Sequence, residues 1–424
     1  MTRFGGDEGG QAVVLLGLAL TGMLVVGGLG IDAGLQYVER RHEQVAADSA
    51  AFAAAVSMVD NWSAANRATL ATAAALDYAK RNGYDDDGLT NTVTVNIPPT
   101  SGAYAGNAGY AEIVVSVNVK TAFIRILGSS YATRSVRARA VGGVVAPPKD
   151  YALIALAKTG SPTMSLTGNA QVEVENAGIL VNSIGTPALT TTSNASIEGS
   201  VDVAGTAQAL GSVSGTLTTG ASQQPDPLSY LAAPTSCGTT YTAVNATGGT
   251  TTLQPGCYPG ISASGTATVL LASGTYVITG GGISVSGNAT IKDSTPGDGV
   301  GVFIYNGCSF FPSSGGTCGA IGQSGNGNID LEKAGTGQYN GVSIWQPCAN
   351  TNALTVTGSP KSGIETTGSV YLPCAAVNVS GNGDLETGSG QLIASTVSAV
   401  GKGEIEVEWD ATSSTPDRMP AIVE

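Results

Sequence analysis

The sequence is poor in charged side chains and contains a single histidine, His42. Only 12% of its 424 residues are Asp, Glu, Lys or Arg, and the acids outnumber the bases to give a net charge of -13. A protein that binds nucleic acid through its phosphates needs a basic face. We therefore expect no nucleic-acid partner, and the G-x-x-x-x-G-K-[ST] loop of nucleotide-binding proteins is also missing.

The scarcity of histidine also limits the possible enzymes. A Ser-His-Asp or Cys-His site would have to use His42, which lies far from every cysteine in the sequence. Acids do cluster at Glu404, Glu406 and Glu408, but Ile405 and Val407 alternate with them. This alternation predicts a half-exposed strand with its glutamates in solvent. We expect a non-catalytic protein with no cofactor and no metal, and keep a carbohydrate-active enzyme as the alternative.

Cysteine is absent from the first half of the chain. The second half contains six, with no C-x-x-C pair and no nearby histidine: Cys237, Cys257, Cys308, Cys318, Cys348 and Cys374. These spacings do not fit zinc sites, and an even number of cysteines in an acidic, charge-poor chain predicts disulfides. Neighbour pairing (237 with 257, 308 with 318, 348 with 374) is one of fifteen connectivities. Disulfides would place the C-terminal part outside the cell.

The N-terminal region contains the one long apolar run of the sequence. Residues 12–31 have no charge and are about as long as the ~20 residues that cross a bilayer as a helix. The run continues through Asp32 into good helix formers, which predicts one long helix, half in lipid and half in water. A signal peptide is the alternative, but the run exceeds the usual ~7–15 apolar residues and no cleavage turn follows it. Arg3 precedes the run and Arg40 and Arg41 follow it, so the positive-inside rule does not fix its orientation.

The residues around this run form a recognisable pattern. The segments GGQAVVLLGLAL and GLGIDAGLQYVERRHEQVAADSAAFAAA resemble the N-terminal region of TadE/TadG-like proteins of the Flp (Tad) pilus-assembly system, over about residues 10–57. The matching positions are Gly10, Gln11, Asp32, Tyr37, Arg40, Arg41, Ala46, Ala47 and Asp48. Pilins cut by a prepilin peptidase usually carry Glu at the fifth residue after the scissile Gly. Here that residue is Leu15, so the resemblance does not predict cleavage.

Small residues cluster where the run ends. Gly30 and Gly34 have the small-x-x-x-small spacing that lets two membrane helices approach closely, and the alanine-rich AADSAAFAAA follows. The resemblance implies Flp-type pilins or other assembly proteins as partners. The alternative is that the glycines only loosen the helix where it leaves the bilayer.

The next part of the chain predicts a small pilin-like α+β region. Residues 61–81 suit a second helix capped by Ser63, and residues 92–97, 111–120 and 133–145 alternate as strands do. The segment TAFIRILG between the last two strands predicts a short helix or helical turn. A linker, APPKD at residues 146–150, follows.

From residue 151 a short phrase recurs, with a Gly-Asn or Asn turn followed by an alternating strand. Copies lie at residues 165–174, 191–200, 284–293, 322–331, 378–387 and 398–407, with weaker ones such as 261–270. Spacings of about 20–40 residues suit the coils of a parallel β-helix, in which Asn or Gly takes the left-handed turn. A β-sandwich is the alternative, but it favours Asn-Gly hairpins, whereas the phrase more often has Gly before Asn.

These observations predict an α+β region followed by an all-β parallel β-helix (solenoid). The expected domains are a membrane anchor at 1–38, a pilin-like region at 39–146, a β-helix at 147–410 and a tail at 411–424. The expected function is a single-pass membrane protein with a cytoplasmic N-terminus and an extracellular C-terminal region, acting in pilus assembly, as a minor pilin or in adhesion. Surface polysaccharide is a further possible partner, and a β-helix adhesin unrelated to a pilus is a second alternative.

Overall fold

A computed structural model of the chain describes residues 9–62, 64–145, 150–308, 318–360, 362–410 and 418–424. The chain forms two units, residues 1–145 with 418–424 and residues 146–417. The second unit is therefore inserted in the sequence of the first. Ser63 and most of the 146–150 linker lie outside the described residues.

The first unit contains two helices and an antiparallel sheet. Helix α1 (Gly9–Asp60) has 52 residues and is about 78 Å long at ~1.5 Å per residue. Helix α2 (Arg67–Arg81) starts later than the sequence predicts, because residues 61–62 and 65–66 form turns. The strands are β1 (Asn91–Asn96), β2 (Tyr110–Lys120), β3 (Thr133–Val145) and a C-terminal strand (Met419–Ile422).

The sheet has the order β1, β2, β3, C-terminal strand, with every pair antiparallel. Its buried face includes Ile113, Val115 and Ala140, and packs in one core with the alanines of α1. Gly142 allows the closest approach, because a Cβ there would lie 2.1 Å from the carbonyl oxygen of Ala51. Arg139 of β3 forms ion pairs with two glutamates. One is Glu112 of β2, and the other is Glu424, which follows the C-terminal strand.

Segment 121–132, between β2 and β3, forms two short 3-10 turns, Ile124–Leu127 and Ser129–Tyr131. The expected helical turn in TAFIRILG is thus present.

The second unit is a parallel β-helix, as predicted. Its first strands are β4 (Tyr151–Ala155), β5 (Met164–Gly168), β6 (Gln171–Val181), β7 (Leu189–Thr191), β8 (Ser196–Val203), β9 (Ala207–Ala209), β10 (Ser212–Val213) and β11 (Leu217–Thr219). Next come β12 (Val244–Ala246), β13 (Thr250–Leu253), β14 (Gly256–Tyr258), β15 (Ile261–Ala263), β16 (Thr268–Leu271), β17 (Gly274–Ile278), β18 (Ile283–Val285), β19 (Thr290–Asp293) and β20 (Val302–Asn306). The last are β21 (Ile321–Gly325), β22 (Asn328–Leu331), β23 (Val342–Trp345), β24 (Leu354–Gly358), β25 (Gly363–Thr366), β26 (Ser369–Gly381), β27 (Asp384–Gly388), β28 (Leu392–Gly401) and β29 (Glu404–Glu408). A third 3-10 turn, Gly337–Tyr339, precedes β23.

These strands form the three sides of the solenoid. On one side, nine successive parallel pairings join β13, β16, β19, β22, β25, β27, β29, the first half of β6, the first half of β8, and β10. At about 4.8 Å per pairing, this stack is about 43 Å long. Identical positions of successive coils lie on one another, so that Ile364, Leu385 and Ile405 form part of one inward aliphatic row.

The order of coils in space differs from their order in the sequence. The chain enters at β4, which pairs with β28, and β5 and β6 stack on β28 and β29. The first coil of the unit in the sequence therefore stacks directly on its last coil. The chain builds coils from this point as far as β11 and then resumes at β12, which lies at the opposite end of the stack.

Segment 220–243 makes the return between these two ends, and we call it the strap. Its contacts follow the solenoid in order, from Asn182, which bonds to Gln224, to Tyr371, whose hydroxyl donates to Asp226 at 2.6 Å. Further on, the hydroxyl of Tyr339 donates to the carbonyl oxygen of Ala232. The sequence gap between the phrases at 191–200 and 284–293 therefore contains this strap as well as complete coils.

The cysteines form three disulfides, each between neighbours in the sequence. Cys237–Cys257 fixes the end of the strap to β14, with the Cα atoms 5.5 Å apart. Cys308–Cys318 and Cys348–Cys374 have Cα separations of 4.4 and 4.8 Å. Cys348 follows β23 and Cys374 lies in β26, so the last disulfide joins two successive coils.

The turns of the recurring phrase use glycine for the left-handed conformation. Gly287 and Gly381 both have φ of 70°, whereas the residues after them, Asn288 and Asn382, do not have positive φ. Of the two residue types that the sequence offers for the left-handed turn, glycine and not asparagine therefore takes it in these two phrases. The backbone N–H of the asparagine instead donates a hydrogen bond to the carbonyl oxygen of a glycine in the adjacent coil. The distance from Asn288 N to Gly265 O is 2.8 Å.

We expect Gly287→Ala to destabilise the solenoid by about 1–2 kcal/mol, because a left-handed conformation is costly for a residue with a Cβ. That Cβ would also lie 3.1 Å from the carbonyl oxygen of Gly265. Asn288→Ala keeps the backbone bond and loses an exposed side-chain bond to Asn326, so its effect should be smaller. Denaturant unfolding of both variants measures the difference, and equal losses would contradict the assignment of the turn to glycine.

Candidate functional site

The first half of α1 is exposed apolar surface. From Val13 to Ile31 its large apolar side chains are 42–73% exposed. The helix is long and apolar enough to cross a membrane by length and composition. A surface of this size in water would be strongly unfavourable, so these features support anchoring of the protein in a membrane through α1.

Gly30 and Gly34 lie on an open face of this helix. Both are exposed, and a Cβ built on either meets no atom within 4 Å. Four residues correspond to about 40° around the helix, so the two glycines share one side. Gly28 is different, because a Cβ there would lie 2.6 Å from Cγ of Phe123. Of the glycines clustered at the end of the run, Gly28 is thus covered, whereas Gly27, Gly30 and Gly34 are open.

Asp32 ends the apolar run and accepts three backbone hydrogen bonds. Its carboxylate receives the N–H groups of Ala122 at 2.7 Å, Phe123 at 3.0 Å and Ile124 at 2.7 Å. Its side chain is 3% exposed. Asp32 therefore attaches segment 121–132 to the helix at the end of the run. Asp32 is one of the motif positions of the sequence. The segment that it binds lies ninety residues further along the chain, and no sequence pattern near Asp32 indicates this contact.

The other motif residues divide between the two faces of α1. Ala46 and Ala47 are fully buried in the core of the first unit, and Asp48 accepts a bond from Gln44. Tyr37, Arg40 and Arg41 are exposed. Because Ala50, Ala51 and Ala54 are buried in the same core, the alanine-rich segment packs within its own unit. Of the proposed packing face, Gly30 and Gly34 are the part that stays open.

Sequence reasoning missed Glu43, which lies on the buried face of α1. Its side chain is 0% exposed, and neither carboxylate oxygen has a hydrogen-bond partner among the described residues. Burial, followed by the nearby Glu39 carboxylate, raises the pKa of Glu43 to about 7, against smaller opposing effects of the Val117 backbone and Arg40. The hydroxyl of Tyr84 donates to Glu39. The available signal was the helical spacing of Glu43 from the alanines at 46, 47, 50 and 54.

The solenoid has a line of carboxylates on one outer side, which we call the acidic row. In-register pairing places each member directly beside the next, in the order Asp330, Glu365, Glu386, Glu406, Glu173 and Glu198. Lys292 precedes Asp330 in the same line. Neighbouring members are about 4.8 Å apart along the stack. As the sequence predicts, Ile405 and Val407 are buried while Glu404, Glu406 and Glu408 are at least partly exposed.

Burial and nearby like charges raise the pKa of two carboxylates here, Glu386 of the acidic row and Asp384, which lies two residues before it in β27. Burial and then the Glu365 and Glu406 carboxylates raise the pKa of Glu386. Burial is also the main cause for Asp384, with Glu404 next, and the pKa of Asp384 rises to about 6. A row of carboxylates at regular spacing attracts cations and repels acidic polymers. The signal was present in the sequence, since five of the six repeated phrases have an acid at the same position after the apolar residue, and the sixth has Lys292 there.

We expect the variant Asp384→Asn with Glu386→Gln to be more stable than the parent at pH 8 by about 1 kcal/mol, because like charges directly opposite on adjacent strands cost up to about that much. The folded-state pKa values are raised, so the parent loses stability as pH rises from about 4 through about 6. The difference should vanish near pH 4 and shrink in high salt.

Lys292→Gln is the matched control, since it removes the basic member of the line and should lower stability at pH 8. Thermal unfolding at several pH values measures all three proteins. A double variant that is no more stable than the parent at pH 8 would show that repulsion of Asp384 and Glu386 by the carboxylates of adjacent coils is negligible.

Comparison with known proteins adds one finding. Residues 10–57 match a family model described as putative Flp pilus-assembly TadE/G-like. Searches of curated proteins and of solved structures found no match. The match covers α1 almost to its end, including Asp32 and both open glycines. The predicted resemblance is thus confirmed: in its N-terminal region the chain is similar to TadE/G-like proteins of Flp pilus assembly.

Proposed function

We propose that this protein is a non-catalytic component of an Flp-type pilus-assembly system, anchored by α1 and presenting its β-helix at the cell surface. The observation that carries the proposal is the match of residues 10–57 to the TadE/G-like family, on a helix whose first half is exposed and apolar. Pilus assembly, a minor-pilin position and adhesion are all compatible with this layout.

Helix packing in the membrane is the expected mode of association. Lipid tails are as apolar as leucine, so membrane helices associate by close packing, and small residues permit it. Gly30 and Gly34 supply such a face, because neither is covered within the first unit. Flp-type pilins or other assembly proteins with an apolar N-terminal helix are the partners that this face fits.

We expect Gly30→Leu with Gly34→Leu to reduce crosslinking between α1 and a co-expressed Flp-type pilin several-fold, because the larger side chains would hold the two helices apart. Gly17→Leu is the control. Gly17 is equally uncovered and lies about 140° around the helix from Gly30. Crosslinking in membranes followed by co-purification measures the effect. Parent-like yields for the double variant would place the contact on another face, and absence of any pilin from the parent complex would contradict the proposed function.

The β-helix is proposed to act outside the cell by binding. Its three disulfides are stable in oxidising compartments, which supports a cytoplasmic N-terminus and an external C-terminal region. The acidic row faces outward and would repel acidic polymers. If the solenoid binds a surface polysaccharide on this side, a neutral or positively charged one fits best.

Topology can be tested by thiol labelling. After mild reduction of intact cells, a membrane-impermeant maleimide should label the cysteines of the β-helix, because reduction exposes thiols on the outer side. A cysteine introduced by Arg3→Cys should be labelled only after the cells are permeabilised. Labelling of Arg3→Cys in intact cells, with the β-helix protected, would reverse the proposed orientation.

A further inference from the structure

Segment 121–132 extends apolar side chains beside the membrane-spanning part of α1. Phe123 is 42% and Ile126 80% exposed, although both lie in a short connection between two strands. A groove of about 300 Å³, lined almost entirely by apolar atoms, lies between this segment and the helix. Its lining includes Leu24, Val25 and Leu29 of α1 and Phe123, Ile124 and Ile126 of the segment.

The depth of the segment is fixed by its contacts with α1. Asp32 holds the amides of Ala122, Phe123 and Ile124 at the end of the apolar run. The Phe123 ring lies against Gly28, and the groove extends to Leu24. Gly28 and Leu24 precede Asp32 by about 6 and 12 Å along the helix axis. If residues 12–31 cross the bilayer, Phe123 and Ile126 lie at a level where lipid surrounds the helix.

The backbone of the segment is suited to an apolar medium. Irregular backbone is costly in lipid unless its polar groups are bonded internally. Here three amides bond to Asp32, and the amides of Ile126 and Gly128 bond to the carbonyl oxygens of Phe123 and Arg125. The base is closed by Thr121, whose amide bonds to Ala132 and whose hydroxyl donates to the Tyr131 carbonyl.

Basic and aromatic residues flank the apolar tip. Lys120, Arg125 and Arg134 are exposed, and the Arg134 guanidinium lies 5.3 Å from the ring centre of Tyr131. Tyrosine favours the membrane–water interface. Basic side chains near a bilayer are attracted to anionic headgroups. Lys120, Tyr131 and Arg134 thus lie at or next to the base of the segment, which suits the headgroup level, and Arg125 adds a basic side chain between the apolar residues Phe123 and Ile126.

We propose that segment 121–132 is a second membrane contact of this protein. Phe123 and Ile126 insert into the acyl region of the leaflet through which α1 leaves the bilayer, and Lys120, Arg125 and Arg134 contact lipid phosphates. The occupant of the exposed apolar surface is lipid, because this surface is continuous with the lipid-facing surface of α1. The inference requires α1 to lie in a bilayer and is independent of any pilus partner.

The test uses the full-length protein with Ile126→Cys, its native disulfides intact, labelled with the environment-sensitive fluorophore NBD. The protein is reconstituted at a high lipid-to-protein ratio into vesicles of phosphatidylcholine and phosphatidylglycerol. Lipids brominated on their acyl chains should quench the label several-fold more strongly than at Leu89→Cys. Leu89 is the matched control, being 83% exposed in the connection before β1.

Three outcomes would overturn the proposal. The first is quenching at position 126 by aqueous iodide, as at position 89, without quenching by brominated lipid. The second is protection from both quenchers, which would indicate contact with another protein. The third is unchanged insertion when Asp32→Ala is added, since loss of the carboxylate should release the segment and lower lipid quenching several-fold. Vesicles without phosphatidylglycerol should give weaker lipid quenching if the basic residues bind anionic headgroups.

Discussion

In-register stacking of parallel strands is the interaction on which the β-helix depends. Each coil places its inward aliphatic side chain on that of the next coil, as in Ile364, Leu385 and Ile405. The same register determines what lies outside. Because side chains alternate between faces, a residue next to a buried aliphatic is stacked on its counterpart as well. Aliphatic rows gain from this arrangement, whereas like charges are brought together in the acidic row. There, burial and then the neighbouring Glu365 and Glu406 carboxylates raise the pKa of Glu386. The surface charge of the solenoid is thus a direct consequence of its packing.

Stacking also explains how the β-helix can be inserted in another unit. Its first strand, β4, stacks on β28, and its last strand, β29, pairs with β6, so the coils at the two ends of the insertion are neighbours in the stack. As a result, the chain must return along the solenoid from β11 to β12, which lies at the far end of the stack. Hydrogen bonds from Tyr371 and Tyr339 and the disulfide Cys237–Cys257 hold this strap in place. Constraints of this kind stabilise most by limiting the freedom of the unfolded chain.

Helix α1 serves two environments, and Asp32 marks their boundary. Before it, the helix exposes leucine, valine and open glycines; after it, one face is covered by the sheet through Ala47, Ala51 and Ala54. Asp32 also fixes segment 121–132 at this boundary. A motif residue that the sequence places at the membrane exit therefore links the anchor to the folded unit beyond it, which gives a physical reason for a carboxylate at that position. The match to TadE/G-like proteins ends close to where this helix ends.

The sequence by itself determined the features that depend on local periodicity. An uncharged run of residues 12–31 predicts a helix able to span a membrane, and alternation after each Gly-Asn phrase predicts the strands of a parallel β-helix, because burial of one face imposes those periods. Tertiary structure decided everything that joins distant residues. The partner of Asp32 and the stacking of β4, β5 and β6 on β28 and β29 have no local signal, since each depends on which segments meet in three dimensions. The spacing of Glu43 from the buried alanines is visible in the sequence, but the sheet that covers this face of the helix is not. Even within the repeated phrase, only the folded backbone assigned the left-handed turn to Gly287 and not to Asn288, because this choice depends on how each coil is placed on the next.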